Sequence, residues 1–142
     1  MSFNDIYRVS ASAMTAQTVR LNTIASNLAN ADSPASSEAA AYKARRPVFA
    51  ALYEKSGLVS SSALASARVQ VLDVVESGGA IRRYEPGHPL ANARGHVFYP
   101  DINTVEEMAD MMSASRNFET NVEVLNSVKS MQQSLLRLGE GG

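Results

Sequence analysis

The sequence predicts an α+β fold in which long N- and C-terminal helices form a paired, coiled-coil-like stalk with a small inserted antiparallel β domain. Three observations support this prediction. Apolar positions keep an unbroken 3-4 spacing near the start, the last third repeats a helical spacing after a capping sequence, and the middle carries short β-like runs between turn signals. The predicted divisions are residues 1–34 for the first helix, 35–102 for the β domain, and 103–142 for the second helix and tail.

The first helix is predicted from Phe3 to Ala31. Its seam is free of glycine and proline and consists of Phe3, Tyr7, Ser10, Met14, Gln17, Leu21, Ile24, Leu28 and Ala31. A helix of about 29 residues is about 43 Å long. We expect it to stop before Pro34, because the proline ring disfavours helical geometry at Ser33.

The second long helix is predicted to begin after Asn103, a residue type that caps helices, with Glu106 at the third helical position. Apolar residues recur at helical spacing as far as Leu138, and Gly139 is typical of the position just past a helix end. The predicted helix has about 35 residues and is about 52 Å long. Its apolar stripe drifts after Leu125, which indicates more than one neighbour.

Between the helices, short β-like runs alternate with loops rich in serine and alanine. The runs are RPVFAALY at 46–53, ARVQVLDVV at 67–75 and HVFY at 96–99. The sequence Glu-Pro-Gly-His at 85–88 predicts a type II turn, in which Gly87 would adopt a positive φ. These runs predict the small antiparallel β domain.

Composition excludes several classes of function. The 142 residues suit one domain, and 13 basic against 14 acidic residues do not build the basic field that nucleic-acid binding needs. No run of about 18 apolar residues is present, so no membrane span is expected. The start lacks a basic stretch followed by an apolar block, so we expect no cleaved signal peptide. The absence of cysteine removes disulfides, thiolate metal sites and cysteine nucleophiles.

The residues do not predict an enzyme, and we expect no catalytic, cofactor-binding or metal site. His88 and His96 have no carboxylate at metal-ligand spacing. Gly78-Gly79 is interpreted as a turn, and Glu106-Glu107 as solvated or inter-subunit charges. The methionines at 108, 111 and 112 suit either a promiscuous peptide groove or, more simply, adaptable packing at a subunit boundary.

The first helix is unusually poor in charge. Residues 1–31 carry only Asp5, Arg8 and Arg20 as charges, whereas twelve are Ser, Thr, Asn or Gln. Uncharged polar groups cost far less to bury than ions, so such a helix suits contact on several sides. This composition favours a subunit of a crowded assembly, while a self-contained two-helix stalk under a β head remains the simpler alternative.

Three stretches carry a resemblance to a known family. They are SASAMTAQTVRLNTIASNLANADSP at 10–34, YEPGHPLANARGHV at 84–97 and MMSASRNFETNVEVLNSVKSMQQSLLRLG at 111–139. Together they resemble the flagellar basal-body rod proteins over nearly the whole chain. The SNLAN core is shared widely by axial rod and hook proteins, whereas NVEVLN at 121–126 with YEPG at 84–87 is similar to the proximal-rod subunit in particular. The run SSEAAAY at 36–42 departs from the Gly/Pro-containing turn that is frequent in the family.

The resemblance implies a structural subunit of the proximal rod that assembles helically, transmits torque from the motor to the hook and encloses the export channel. It implies other copies of the chain, neighbouring rod proteins and, during secretion, the flagellar type III export apparatus as partners. The implied location is the rod in the periplasmic space, reached without a cleaved signal peptide. An export signal near the N-terminus would involve Phe3, Ile6 and Tyr7, which the helix seam explains more simply.

The resemblance also implies a set of subunit-packing residues, namely Met14, Leu21, Ile24, Leu28, Phe118, Val122, Leu125, Val128, Met131 and Leu135. Residues 21–28 are expected to face 122–135. The terminal segments are expected to be largely disordered before assembly. The alternative function is a soluble helical-hairpin adaptor or export chaperone for axial proteins, whose helices would be formed in the isolated chain.

Overall fold

Two long helices flank two small antiparallel sheets in a computed structural model that describes residues 3–54 and 66–140. The elements are α1 (Phe3–Asn30), β1 (Ala44–Glu54), β2 (Ser66–Ser77), β3 (Ala80–Tyr84), β4 (His96–Pro100) and α2 (Thr104–Glu140). A 3-10 turn, Glu38–Ala40, lies between α1 and β1. The predicted α+β class, with two long helices and a small antiparallel β part, is therefore confirmed. Of the serine- and alanine-rich loop predicted at 60–67, residues 60–65 lie outside the described residues, and Ser66 and Ala67 belong to β2.

Helix α1 ends at Asn30, one residue before the predicted end. The chain leaves it through a tightened turn, in which the backbone N–H of Ala31 donates to the carbonyl of Leu28 at 3.4 Å and that of Ser33 to Asn30 at 3.1 Å. Pro34 follows directly and cannot continue a helix. The segment at 36–42 then forms the 3-10 turn, which Ser37 caps by accepting from the Ala40 N–H at 3.3 Å.

Helix α2 begins where the sequence predicts. The Asn103 Oδ1 accepts from the backbone N–H groups of Val105 at 3.1 Å and Glu106 at 3.4 Å, which confirms the predicted N-cap. The predicted end at Leu138 is wrong, because the helix continues through Gly139 to Glu140. Gly139 does not adopt the positive φ with which a glycine terminates a helix.

The strands form two separate hairpins. Strand β1 pairs only with β2, and β3 pairs only with β4, among the residues the structure describes. In the β1–β2 hairpin Ala44 lies opposite Ser77 and Ala51 opposite Val69, with a bulge after Val48. The three predicted runs are all strands, but β3 was not predicted, because its sequence AIRRY carries two charges in five residues.

The type II turn predicted at 85–88 is wrong. The His88 N–H donates to the Glu85 carbonyl at 3.0 Å and closes a turn, yet Gly87 does not have a positive φ. The left-handed residue of this connection is Gly95, with φ +74°, at the point where the chain enters β4. The chain therefore turns at 85–88 without a left-handed glycine, and the left-handed conformation is found at Gly95.

The two helices lie side by side and antiparallel. The Arg20 guanidinium donates to the Asp110 carboxylate at 3.0 Å, and the Tyr7 hydroxyl donates to the Gln132 side-chain oxygen at 3.2 Å. These two contacts place the second half of α1 beside the first turns of α2, and the first half of α1 beside the distal half of α2.

This register corrects one predicted pairing. Residues 21–28 were expected to face 122–135, but Arg20 lies beside Asp110, at the other end of α2. The reason is that the β region returns the chain to the end of α1, so α2 starts where α1 stops.

The buried core is thin. The buried apolar residues are Ala16, Ile24, Ala31, Ala41, Ala44, Val97, Ala114 and Val128. Only three of these described residues are larger than alanine, and each fully buried large aliphatic side chain contributes only about 1.5–3 kcal/mol. The chain alone therefore has little apolar burial with which to hold its long helices together.

Candidate functional site

Polar side chains meet where the end of α1, the start of β1 and the first turns of α2 come together. We call this group the polar junction, and it consists of Asn27, Tyr42, Arg45, Arg46 and Glu107. Asn27 is 1% exposed and Glu107 is 2% exposed. Buried polar groups are costly unless they are hydrogen-bonded, so the contacts within the junction decide whether it stabilises the fold.

The Asn27 side chain uses all of its hydrogen-bonding capacity. Its Nδ2 donates to the Arg45 carbonyl at 3.0 Å and to Oε2 of Glu107 at 3.0 Å. Its Oδ1 accepts from the Arg45 N–H at 2.8 Å and from the Tyr42 hydroxyl at 3.1 Å. A primary amide has two donors and two acceptor lone pairs, so Asn27 is fully satisfied.

The buried Glu107 carboxylate is paired as well. Its Oε1 accepts from the Arg46 guanidinium at 3.3 Å, and the same guanidinium lies 3.8 Å from Asp110, which also pairs with Arg20. The interpretation of Glu107 as a solvated or inter-subunit charge is therefore wrong. Its helix position turns it towards α1, where Asn27 and Arg46 replace water.

Tyr42 closes the junction on the side of the 3-10 turn. Burial raises the pKa of the Tyr42 hydroxyl above its ordinary value of 10.0, the Arg45 charge lowers it, and the Glu76 and Glu107 carboxylates raise it further. The net direction is upward. The Arg45 guanidinium lies 5.7 Å from the centre of the Tyr42 ring.

The outward face of α1 is small and uncharged over most of its length. Its exposed positions follow a regular 3-4 spacing, and Arg8 is the one charged residue among Asn4, Arg8, Ala11, Thr15, Thr18, Asn22, Ala25 and Ala29. Burial within the chain therefore does not explain the low charge of α1, because many of its neutral residues face outward. They form a flat stripe that another helix can approach closely.

The outward face of α2 begins with large apolar side chains. Val105 is 73% exposed, Met108 is 55% exposed and Met112 is 60% exposed, and we call these three the α2 stripe. Glu107 and Ala114 mark the opposite face of the helix, which is buried. The α2 stripe therefore points away from α1, and more than half of each of its side chains is exposed.

Comparison with known proteins shows the family. The model for flagella basal body rod proteins matches residues 8–34, and that for the C-terminal part of flagellar basal body rod FlgEFG proteins matches residues 93–138. The flagellar basal-body rod protein FlgC of Escherichia coli O157:H7 is 44% identical over 99% of this chain and 100% of its own length. FlgC of Salmonella typhimurium is 42% identical over the same shares, and FlgC of Bacillus subtilis is 32% identical over 93% and 95%.

The chain belongs to the FlgC family of flagellar basal-body rod proteins. It is a structural rod subunit of the flagellar basal body, and the resemblance seen in the sequence is confirmed. The family is one of structural proteins and is not known for enzymatic activity.

The FlgC-like chain places the ten predicted packing residues in three environments. Ile24 and Val128 are buried within the chain, each 4% exposed, so they have almost no surface left for a neighbour. Met131 and Leu135 are 54% exposed. The other six are partly buried, namely Met14, Leu21, Leu28, Phe118, Val122 and Leu125. Their packing between rod subunits stays a prediction.

The polar junction of this rod subunit was not predicted from the sequence. Asn27 stands inside the SNLAN core, which served only as a family signal, and Glu107 follows another glutamate at a helix start. A signal was present, because Asn27 and Glu107 both sit on the inward side of their helices when the seam is drawn through Ile24 and Ala114.

The two histidines make local contacts in and beside the β3–β4 hairpin. The rings of Tyr84 and His96 lie 5.4 Å apart, and His88 Nδ1 accepts from the Leu90 N–H at 3.1 Å. Within residues 3–54 and 66–140, no group of three His, Asp or Glu side chains lies close enough to hold a metal ion. Neither described helix is apolar enough over 18 residues to cross a membrane.

Proposed function

We propose that this rod subunit assembles helically with further copies of itself and with neighbouring rod proteins, as part of the proximal rod. In that position it transmits torque from the motor towards the hook and contributes to the wall of the export channel. The observation that carries this proposal is the imbalance between exposed and buried apolar side chains in the single chain.

Seventeen large apolar or aromatic side chains are exposed in the described residues, whereas only Ile24, Val97 and Val128 are buried among those larger than alanine. The chain has 9708 Å² of accessible surface, while a compact monomer of 15.2 kDa has about 7,100 Å². A stable protein–protein interface takes about 800 Å² from each partner, so the surplus is enough for several neighbours.

The two outward helix faces favour heterologous contacts. From Ala11 to Ala29 the outward α1 face is made of small neutral residues, whereas the α2 stripe is made of larger apolar ones, so the two faces are not copies of each other. A contact between different surfaces of identical subunits gives an open helix whenever its rotation does not close a ring. We infer that the predicted domains at 1–34 and 103–142 form the axial part of the rod as a coiled-coil-like pair of helices, and that 35–102 forms its β part.

The distal half of α2 adds a second candidate contact. Met131, Leu135, Leu136 and Leu138 are each more than half exposed. Phe3 and Leu135 line the same open cleft at the far end of the helix pair. We infer that these residues contact neighbouring subunits, while Ile24 and Val128 act within the chain by keeping the pair rigid.

Secretion and location are part of the same proposal. We infer that the chain passes unfolded through the flagellar type III export apparatus and is placed in the rod between the membranes. The absence of cysteine supports passage into an oxidising compartment without stray disulfides. Tyr7, a candidate for the export signal, donates to Gln132 in the folded chain, so the two roles would fall at different times.

A complementation experiment tests the assembly. A strain lacking its own rod subunit would express this chain, the double variant Met108→Asp/Met112→Asp, or the control Ser113→Asp, which adds a charge to an exposed position beside the stripe. We expect swimming and intact rods with the wild type and the control, and loss of both with the double variant. Normal rods with the double variant, at equal chain levels, would exclude the α2 stripe from the assembly.

A further inference from the structure

The polar junction joins three segments that are far apart in the sequence. We propose that Asn27 and Glu107 are positioning residues that couple the docking of α2 on α1 to the orientation of the β1–β2 hairpin. Helix α1 also contacts the hairpin directly, because the Val69 N–H of β2 donates to the Ser12 hydroxyl at 3.1 Å, so docked α2 sets the final angle of a hairpin that α1 already contacts. The coupling itself does not depend on assembly, but its use in the rod rests on the proposed function.

The first step is the two-point contact between Asn27 and the backbone of Arg45. The Asn27 amide donates to the Arg45 carbonyl at 3.0 Å and accepts from the Arg45 N–H at 2.8 Å. A single hydrogen bond would fix only a position. Two bonds to one residue also fix a direction, so the plane of the Asn27 amide sets the direction in which β1 leaves α1.

The second step is the contact that fixes the plane of that amide. The remaining donor of Asn27 goes to Glu107 Oε2 at 3.0 Å, and its remaining acceptor takes the Tyr42 hydroxyl at 3.1 Å. When α2 is undocked, this Nδ2 donor loses Glu107 and is free to bond with water instead. Docked α2 thus holds the amide in the orientation that β1 requires.

The third step is a direct hold of α2 on the next residue of β1. The Arg46 guanidinium donates to Glu107 Oε1 at 3.3 Å and lies 3.8 Å from Asp110 Oδ2. Glu107 and Asp110 are three residues apart and share one face of α2. Strand β1 is therefore held at two points, the backbone of Arg45 and the side chain of Arg46. Glu107 contacts Arg46 directly and Arg45 through Asn27.

The consequence concerns the moment at which a subunit becomes ready to assemble. Because the hairpin and the helix pair reach their relative position together, a chain with undocked α2 does not present the combined surface. If the proposed assembly is correct, the polar junction thereby favours the addition of fully folded subunits to the rod.

Spin labels measure the coupling without interference, because the natural chain contains no cysteine. One label pair, at Ala25 and Glu123, reports the docking of α2 on α1, and a second, at Ala25 and Leu72, reports the orientation of the hairpin. All three positions are exposed. Distance distributions would be recorded on the full chain by double electron–electron resonance, at increasing concentrations of trimethylamine N-oxide, which favours compact states.

In the wild type we expect both distributions to narrow at the same osmolyte concentration. Val128→Ala weakens the helix pair far from the junction, and it should shift both midpoints together. Glu107→Ala should separate the two midpoints. The Ala25–Leu72 distance distribution should then stay broad at osmolyte concentrations at which the Ala25–Glu123 distribution is already narrow. A hairpin distribution that narrows before the helix pair, or that is narrow in Glu107→Ala with docked helices, would overturn the proposal.

Exchanging the amide and the carboxylate between positions 27 and 107 gives a second, independent test. Asn27→Asp places a carboxylate against Glu107 and removes both amide donors. The narrow peak of the Ala25–Leu72 distance distribution should therefore be lost. Adding Glu107→Gln supplies an amide donor to the introduced carboxylate and should restore part of that peak. The matched control is Asn30→Ala, since Asn30 lies in the same motif but donates only to Ser26 of its own helix, at 2.8 Å. Failure of the double variant to recover any of the peak would contradict a positioning role, whether or not the chain forms rods.

Discussion

Asn27 and Glu107, which are 80 positions apart, meet through a 3.0 Å hydrogen bond in a buried site between the two long helices. The bond is one of four that Asn27 makes, and they reach α2, the start of β1 and Tyr42. The SNLAN stretch, which lies inside the match to the rod-protein family model, thus has a structural role in this chain. It ties the β part of the subunit to its helix pair.

Replacing Asn27 by alanine should destabilise the chain strongly. The change removes the Asn27 partner from the Arg45 backbone, the Tyr42 hydroxyl and Oε2 of Glu107, while Oε1 of Glu107 keeps Arg46. One such unsatisfied group costs about 1–3 kcal/mol, so we expect a loss of at least that size. Urea unfolding followed by circular dichroism, with trimethylamine N-oxide added to populate the helix pair, measures it. Asn30→Ala is the control, and an equal loss in both variants would contradict the role of the junction.

The neighbouring arginines should differ in their contribution. Arg46 pairs with a carboxylate whose side chain is 3% exposed, whereas Arg45 lies 4.0 Å from Glu76, whose side chain is 58% exposed. Arg46→Ala leaves Glu107 buried with one partner fewer, and we expect a loss of about 1–3 kcal/mol. Arg45→Ala keeps the backbone bonds to Asn27 and should cost less than about 1 kcal/mol. The midpoints of urea unfolding compare the two, and the reverse order would be incompatible with our assignment.

The stability of the chain should decrease at alkaline pH. The pKa of Tyr42 is higher in the folded chain than its ordinary value of 10.0, so the folded state binds more protons than the unfolded state above that pH. The free energy of unfolding therefore falls as pH rises from about 10 through the folded-state pKa. Tyr42→Phe should reduce this slope. Tyr99, whose pKa burial and a hydrogen bond to Glu85 also raise, should account for a remaining part. Identical slopes for wild type and Tyr42→Phe between pH 8 and 11 would refute the assignment.

Gly95 should be the least replaceable glycine of the β part. Its φ is +74°, and a Cβ built on it lies 2.9 Å from Tyr84 Cε2 and 3.2 Å from Pro86 Cβ. The left-handed conformation alone costs a non-glycine residue about 1–2 kcal/mol, and the close contacts add to it. We expect Gly95→Ala to lower the melting temperature clearly, whereas Gly79→Ala, with open space around its Cβ, should change it little. Equal melting temperatures would show that the hairpin adapts to the added methyl group.

Substitutions of outward-facing and inward-facing apolar residues should differ in their effect on the stability of the single chain. Met108→Asp/Met112→Asp alters two exposed positions, so each change should stay within about 0.5 kcal/mol. Ile24→Ala removes one of three large buried side chains and should cost about 2–5 kcal/mol. The same urea assay compares them. A double variant as unstable as Ile24→Ala would mean that the α2 stripe supports the chain itself rather than its neighbours.

Local patterns in the sequence predicted the long helices well. The seam from Phe3 to Leu28 and the cap at Asn103 depend on neighbours a few residues away, and both appear in the structure. The short strand at 80–84 was missed because its pairing partner, and not its own composition, makes it a strand.

Contacts between distant segments could not be predicted from local sequence patterns. The pairing of residues 21–28 depends on where the β region returns the chain, which no periodicity encodes. Glu107 is buried only because Asn27 and Arg46 reach it from two other segments. A charged residue at a helix start is usually solvated, so the pattern alone favoured the wrong interpretation.

The most direct test of the central claim, that the outward helix faces are contacts between subunits, is the reactivity of a single introduced thiol. Met112→Cys places the thiol on the α2 stripe, and maleimide modification would be timed in the isolated chain and in purified rods. Our account predicts rapid modification in the isolated chain and strong protection in the rods. Equal, rapid modification in both states would show that the stripe stays open to solvent in the assembled rod, and would contradict the account.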